Sequence, residues 1–258
     1  MSETASAHPE QAGEWDSHWV AYEAATKLNP AHRYRRALIF EALEQQGTSP
    51  MRLIDVGCGQ GDFLEEARMR FAHAELVGID FSEAGLALAR TRVPGARFFQ
   101  ADFSRADSLP SELKSFATHA VCSEVLEHLD DPGLLLRSAR SVLSATAALV
   151  VTVPGGPRSA FDRHIGHRRH YSPRELEILM RSAGFSPLFV RGSGFPFFNL
   201  YRLAVVLRGE RLVRDLDQKQ RLSPGSKLAM QLFDGLFHLN TAHTRLGWQT
   251  IGAFRPIL

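Results

Sequence analysis

The sequence predicts an α/β protein built on a doubly wound sheet, and three observations carry that expectation. Strand-like and helix-like patterns alternate from about residue 51 to 190. A turn with three alternating glycines, Gly57, Gly59 and Gly61, joins the first strand to the first helix after it. With 258 residues, 44% hydrophobic and 22% charged, the chain can bury a substantial core.

In chain order, short apolar runs place strands at Arg52–Val56, Glu75–Ile79, Ala96–Gln100, Thr118–Cys122, Ala147–Val153 and Pro187–Val190. Helices fit between them at Asp62–Phe71, Glu83–Arg92, a short piece before Phe116, Pro132–Leu143 and Pro173–Ala183. The last has the clearest ends. Ser172 and Glu175 make a capping box, Pro173 takes the first helical position and Gly184 follows the end.

Two flanks leave the alternation. Trp15 to Leu43 reads as one or two helices carrying Trp15, Trp19, Tyr22 and Tyr34, divided near Asn29-Pro30. Arg191 to Gly247 is rich in Arg and Phe and reads as helical, with a final strand at Trp248–Phe254. The expected division is an N-terminal helical cap at 1–45, a core at 46–190 and a helical C-terminal extension with a closing strand at 191–258. Such additions cover or extend a site, because a doubly wound sheet binds its ligands outside the carboxyl ends of its strands.

Composition removes several classes. Asn199 and Arg202 interrupt the apolar stretch from Phe195 to Leu207 well short of the roughly 20 residues a membrane span needs. The opening, Met1 to Asp16, carries Glu3, Glu10 and Glu14 in place of a basic, then apolar, leader, so the expected compartment is the cytoplasm. Cys58 and Cys122 lie far apart in apolar segments, which suits reduced thiols. A formal net charge of +2 makes no case for nucleic-acid binding.

The run Leu53-Ile54-Asp55-Val56-Gly57-Cys58-Gly59-Gln60-Gly61-Asp62-Phe63 carries the functional reading. Glycine serves where backbone must approach a ligand or take φ values that side chains penalise. The spacing is G-x-G-x-G, whereas the dinucleotide fingerprint is G-x-G-x-x-G. Asp62 at the helix start would repel a pyrophosphate but suits a cationic amino-acid group, or is simply a helix-terminal acid, as is Asp107. The second strand ends at Asp80-Phe81, where a carboxylate can take both hydroxyls of a ribose. The third is followed by Asp102-Phe103, an acid beside an aromatic that can read and stack on an adenine.

Together Asp55, Gly57, Gly59, Gly61, Asp80 and Asp102 resemble the class I S-adenosylmethionine-dependent methyltransferases over roughly residues 50 to 190. The resemblance implies a Rossmann-like, seven-stranded sheet with the last strand antiparallel, and S-adenosylmethionine lying across its first half. It also implies that the loop, with Cys58 as a small filler, approaches the methionine and ribose, that Asp80 and Phe81 flank the ribose, and that Asp102 and Phe103 hold the adenine.

The fourth strand runs into Ser123-Glu124-Val125-Leu126-Glu127-His128-Leu129-Asp130-Asp131-Pro132. If Glu124 begins a turn of helix, Glu127 and His128 fall on its face three and four residues later. This block resembles the Glu-x-x-Glu-His element of many small-molecule methyltransferases, including the ubiquinone-pathway O-methyltransferases. In some relatives the trio holds a divalent metal, and in the small-RNA terminal 2'-O-methyltransferases a later histidine completes the site; His164, His167 and His170 are the candidates here. The expectation is nevertheless no metal. Ser123 and Glu124 then belong to the donor's contacts, and Glu127 and His128 are the catalytic pair.

The loop from Pro154 to Tyr171 carries Arg158, Arg163, Arg168 and Arg169 against the single acid Asp162. It reads equally as an anion-binding mouth or as a solvated loop whose arginines pair with helix ends. Tyr171 reads as a hydrophobic staple. The stretch from Gly194 to Arg208 reads as a core helix, an acceptor lid, a dimer face or a peripheral membrane contact through 195–208. The resemblance therefore implies methyl transfer from S-adenosylmethionine to a small-molecule acceptor, most naturally at oxygen. The competing readings are a metal-assisted RNA 2'-O-methyltransferase, a non-catalytic nucleotide-binding protein and an NAD-dependent dehydrogenase. Oligomeric state is not legible.

Overall fold

The computed structural model describes residues 29–47, 51–102, 109–217, 224–241 and 243–257. Trp15, Trp19, Tyr22, Phe103 and Asp107 lie outside the described residues. The sheet strands are β1 (Arg52–Val56), β2 (Glu75–Asp80), β3 (Arg97–Gln100), β4 (Ala117–Ser123), β5 (Leu143–Pro154), β6 (Phe185–Ser193) and β7 (Gln249–Pro256). They lie in the order β3-β2-β1-β4-β5-β7-β6. The first five pair in parallel, and β7 enters antiparallel between β5 and β6.

Alternation along each strand feeds two apolar layers. Ile54, Val77 and Leu149 meet the helices α4 (Pro132–Arg140) and α6 (Pro173–Ser182) through Leu135, Leu136, Leu176 and Met180. Their neighbours Leu53, Leu76 and Val150 face α1 (Pro30–Glu44), α2 (Asp62–Arg70) and α3 (Glu83–Arg92) through Phe40, Leu64 and Leu86. A third cluster joins Ala31 and Tyr34 of α1 to Phe198, Tyr201, Phe233 and Phe237, which lie on α7 (Phe197–Asp217) and α8 (Pro224–Phe237). Helix α7 is interrupted at Gly209, whose φ of 46° and ψ of −124° are not helical.

Local chemistry starts the helices where the sequence says they should. Asn29 caps α1 by accepting from the Ala31 N–H at 2.9 Å, with Pro30 at the first position, so the division expected at Asn29-Pro30 is a true helix start. Ser82 does the same for α3, and the Ser172–Glu175 capping box opens α6.

Two expectations change. Helix α4 stops at Arg140, and Leu143 belongs to β5. The Ser115 and Ala117 N–H groups take the Ser141 and Val142 carbonyls, and Leu143 pairs with Ala117, so sheet pairing claims residues that helical periodicity would have kept. In the basic loop a short helix, α5 (Ala160–His164), forms on a Ser159–Asp162 capping box, too brief to show as periodicity.

Candidate functional site

The residues expected to meet the donor lie at the carboxyl ends of β1 and β2. Gly57, Gly59 and Gly61 have φ of 78°, 50° and 82°, left-handed values that favour glycine. The Asp80 carboxylate, only 4% exposed, accepts from the Gly59 N–H at 2.8 Å through one oxygen and from the Ser82 N–H at 2.9 Å through the other. A carboxylate offers roughly four acceptor sites, more than these two amides use. Register pairs Asp80 with Gln100, and the Ala101 N–H donates to the Asp80 carbonyl, which brings the start of the Asp102 segment to the same edge. Phe81 is half-buried beside it, its carbonyl taking the Gln100 amide at 3.0 Å. Cys58 is buried, and burial first, then Asp80 and Asp55, pushes its thiol well up, which fits a filler. Asp62 is a first-turn acid of α2 and pairs with Arg92. A buried carboxylate at this edge fits a ribosyl ligand, for it is the partner that hydroxyls need, whereas the N–H groups of Gly57, Cys58, Gly59 and Gly61 are already taken by Ile79, Asp80 and Cys58.

Asp55 lies buried on β1, and burial, then the neighbouring Asp80 carboxylate, pushes its carboxyl up to about 8. The native state therefore holds this proton more tightly than the unfolded chain does. Its contribution to stability is complete below the unfolded value near 3.8 and is lost as pH rises through about 8. Asp55→Asn should flatten the fall in melting temperature from about pH 5 to about pH 8, each kcal/mol appearing as roughly 2–4 °C. Part of the slope should survive, since Glu127 is shifted in the same direction. Thermal melts of both proteins across that range check this; parallel curves would reject it.

The glycine loop touches the turn after β4. A Cβ at residue 57 would come within 2.5 Å of Val125 Cγ2. Gly57→Ala is accordingly expected to cost about 1–3 kcal/mol through its left-handed φ, with the clash in addition. Adding Val125→Ala should recover only the clash, which denaturant melts of the single and double variants would separate.

That turn corrects the expected helix at Glu124. Glu124 itself is left-handed, with φ of 57°, and the single 3-10 turn begins at Leu126. Its carboxylate pairs with Arg35 of α1 at 3.2 Å and accepts from Gln249 of β7 at 3.0 Å and Thr152 of β5 at 3.3 Å. Ser123 is tied to Thr152 at 2.9 Å. Arg35 and Gln249 were invisible as site residues in the sequence because they arrive from remote elements.

The third member beside Glu127 and His128 is therefore His167, not Glu124: ligating atoms of the three lie within 4.8 Å of one another. The His128 and His167 rings meet edge-on at 4.7 Å between centroids. Glu127 is fully buried, and neither carboxyl oxygen has a hydrogen-bond partner among the described residues. Burial, then Glu124, raises its carboxyl well above the ordinary range.

His170 and Asp162 stand behind His167, while His164 is exposed and outside both groups. His170 Nδ1 lies 3.0 Å from the Gly156 carbonyl, which can only accept, so that nitrogen carries the proton. Its Nε2 then accepts from His167 Nδ1 at 3.3 Å, leaving His167 Nε2 bare and directed toward Glu127 Oε1 at 4.0 Å. Burial, then His128, drives His167 down to about 2 and keeps it neutral. For Asp162 burial works against ionisation, but Arg202 and Ser159 overcome it and hold its carboxyl at about 2.

The basic loop is largely occupied in holding this arrangement. Arg168 pairs with Asp130 and donates to the His128 carbonyl, Arg169 donates to the Asp130 carbonyl, and Arg158 donates to the His167 and Arg168 carbonyls. Tyr171, just before the Ser172 cap, is buried in the same apolar cluster as Leu176, as a staple requires, and its hydroxyl donates to the Leu126 carbonyl at 3.3 Å.

Comparison with known proteins gives four findings. A family profile described as "Methyltransferase domain" matches residues 31–188. A ubiquinone biosynthesis O-methyltransferase of Hahella chejuensis is 27% identical over 202 residues, 70% of this chain and 83% of that protein. A trans-aconitate 2-methyltransferase of Yersinia pestis is 37% identical over 108 residues, only 42% of this chain and 40% of that protein. Among solved structures, an S-adenosylmethionine-dependent methyltransferase of Thermotoga maritima, described as a possible histamine N-methyltransferase, superposes with a TM-score of 0.61 at 17% identity, covering 93% of this chain and 97% of that one. At that identity the likeness speaks for the fold.

Proposed function

The chain belongs to the methyltransferase-domain family and uses S-adenosylmethionine, and on that premise we propose that it methylates an oxygen of a small-molecule acceptor. The observation that carries the reading is the contact between Gly57 and Val125. It sets the donor loop against the turn holding Glu127 and His128, so a methyl source and a proton-handling group share one edge of the sheet. The likeness to an O-methyltransferase over 83% of its length supports oxygen as the acceptor atom.

The donor's sulfonium supplies an already activated methyl group. The protein has to align a nucleophile with it, exclude water and take the acceptor's proton. Asp80 and Asp102 are proposed to hold ribose and adenine, and the Gly57–Gly61 turn to let the donor approach the backbone. Glu124 is proposed to meet the donor's amino-acid end from a position fixed by Arg35 and Gln249. His128, at the mouth of the turn, is the proposed general base, with Glu127 beneath it.

One observation favours a second reading of the same group. A fully buried carboxyl with no partner for either oxygen, facing a bare imidazole nitrogen, is the donor chemistry of a divalent cation site. Glu127, His128 and His167 would hold the ion, which would supply Lewis acidity for an acceptor hydroxyl. A panel of phenolic, carboxylate, amine and sugar acceptors with methyl-labelled donor tests the function; label recovered only on nitrogen or carbon would reject O-methylation. Metal analysis of the purified protein, with the panel repeated after chelation, decides between the two versions.

A further inference from the structure

We propose that the outward face of the α7–α8 hairpin docks on the surface of an anionic lipid bilayer. The inward faces of these helices are already satisfied. Phe198 and Phe237 are buried, and with Tyr201 and Phe233 they close on Tyr34 of α1 through a series of ring contacts at 5.4–6.5 Å. A helix packed on a core in this way normally turns a polar face to water. Here leucines stand among the outward residues. Leu200, Leu203 and Leu207 recur along one side of α7, and Leu228 and Leu232 along one side of α8; exposure reaches 77% at Leu207 and 67% at Leu228.

Charge chooses the occupant. From residue 197 to 237 the sequence has seven Lys and Arg against four Asp and Glu. Asp234 is neutralised within the protein by Arg33. Arg208, Arg211, Arg214 and Lys227 are exposed around the leucines, with the single exposed acid Glu210 among them in the described side chains of α7 and α8. Apolar side chains at acyl depth ringed by cations are the pattern of an interfacial helix on anionic lipid. A second copy seated on the same face by two-fold symmetry would bring these cations against each other. Among the described residues no helix is long and apolar enough to cross a membrane, so the contact would be peripheral.

Density-gradient flotation tests this with two kinds of vesicle, phosphatidylcholine alone and phosphatidylcholine mixed with phosphatidylglycerol. The full chain should float with the mixed vesicles and not with the neutral ones. Leu207→Asp with Leu232→Asp, and separately Arg211→Glu with Lys227→Glu, should each weaken binding by about tenfold or more. The heat of binding S-adenosylhomocysteine, unchanged in both double variants, confirms that they fold; Leu207→Ser replaces the aspartate pair if that heat is lost. No flotation with mixed vesicles, or undiminished flotation in both double variants, overturns the proposal. So does a dimer that the leucine substitutions dissolve while flotation persists. Because no acceptor or turnover is involved, these outcomes are independent of whether the methyl-transfer reading holds.

Discussion

Asp80→Ala should weaken binding of S-adenosylhomocysteine by roughly 10- to 100-fold, the loss of about 1–3 kcal/mol expected when a buried hydrogen-bonding partner is removed. Two losses combine in that figure. The side chain is the proposed acceptor for the ribose hydroxyls, and it also fixes the turn by taking the Gly59 and Ser82 N–H groups. Asp80→Asn separates them, because it preserves shape but leaves only one acceptor oxygen. It should hold the fold closer to wild type while still losing most of the affinity. Calorimetry on the three proteins, with reduced nicotinamide dinucleotide titrated in parallel, reads the result. Undiminished affinity in Asp80→Ala would remove Asp80 from the site, and uptake of the nicotinamide with no heat from the homocysteine ligand would overturn the donor assignment.

What the sequence revealed and what it concealed divide along a physical line. The β1–loop–α2 unit was legible because each requirement there is local: an apolar run, glycines at left-handed φ, then a helix. The strand end at Asp80, and the place of Asp102 just beyond the third strand, followed from the same alternation. Helix starts were legible where a cap lies beside them, as at Asn29 and Ser172. The site's second half was only partly so. Spacing brought Glu127 and His128 together and kept Glu124 near enough to raise the Glu127 carboxyl, but it gave Glu124 a helical backbone, because helical arithmetic does not anticipate a left-handed residue at a strand exit. The residues that claim Glu124, Arg35 and Gln249, sit 89 positions before it and 125 after it, and no periodicity connects such distances. Among three histidines in one loop, the sequence could not select His167. That choice is made by the Asp162 cap, the Gly156 carbonyl and the arginines that stitch the loop to the turn.

Glu127→Leu should raise the stability of the protein while abolishing methyl transfer. A buried polar group without a partner costs about 1–3 kcal/mol, and an apolar side chain of similar volume removes that penalty. Glu127 is in this position, fully buried with both oxygens unsatisfied among the described residues and its carboxyl held protonated well above the usual range. A residue kept for the fold would behave in the opposite way, since its loss would unpair something. Among the described residues the neutral His167 Nε2 approaches it at 4.0 Å, too long for a hydrogen bond. Stability should therefore increase by about 1–3 kcal/mol, seen as a higher midpoint in denaturant melts. Affinity for S-adenosylhomocysteine should stay within a small factor of wild type, because Asp80 and the glycine turn are untouched. If Glu127→Leu is instead destabilised, the carboxyl has a structural partner and its proposed role in the reaction fails. A more stable variant that binds donor product normally yet no longer turns over would place Glu127 where binding and chemistry part.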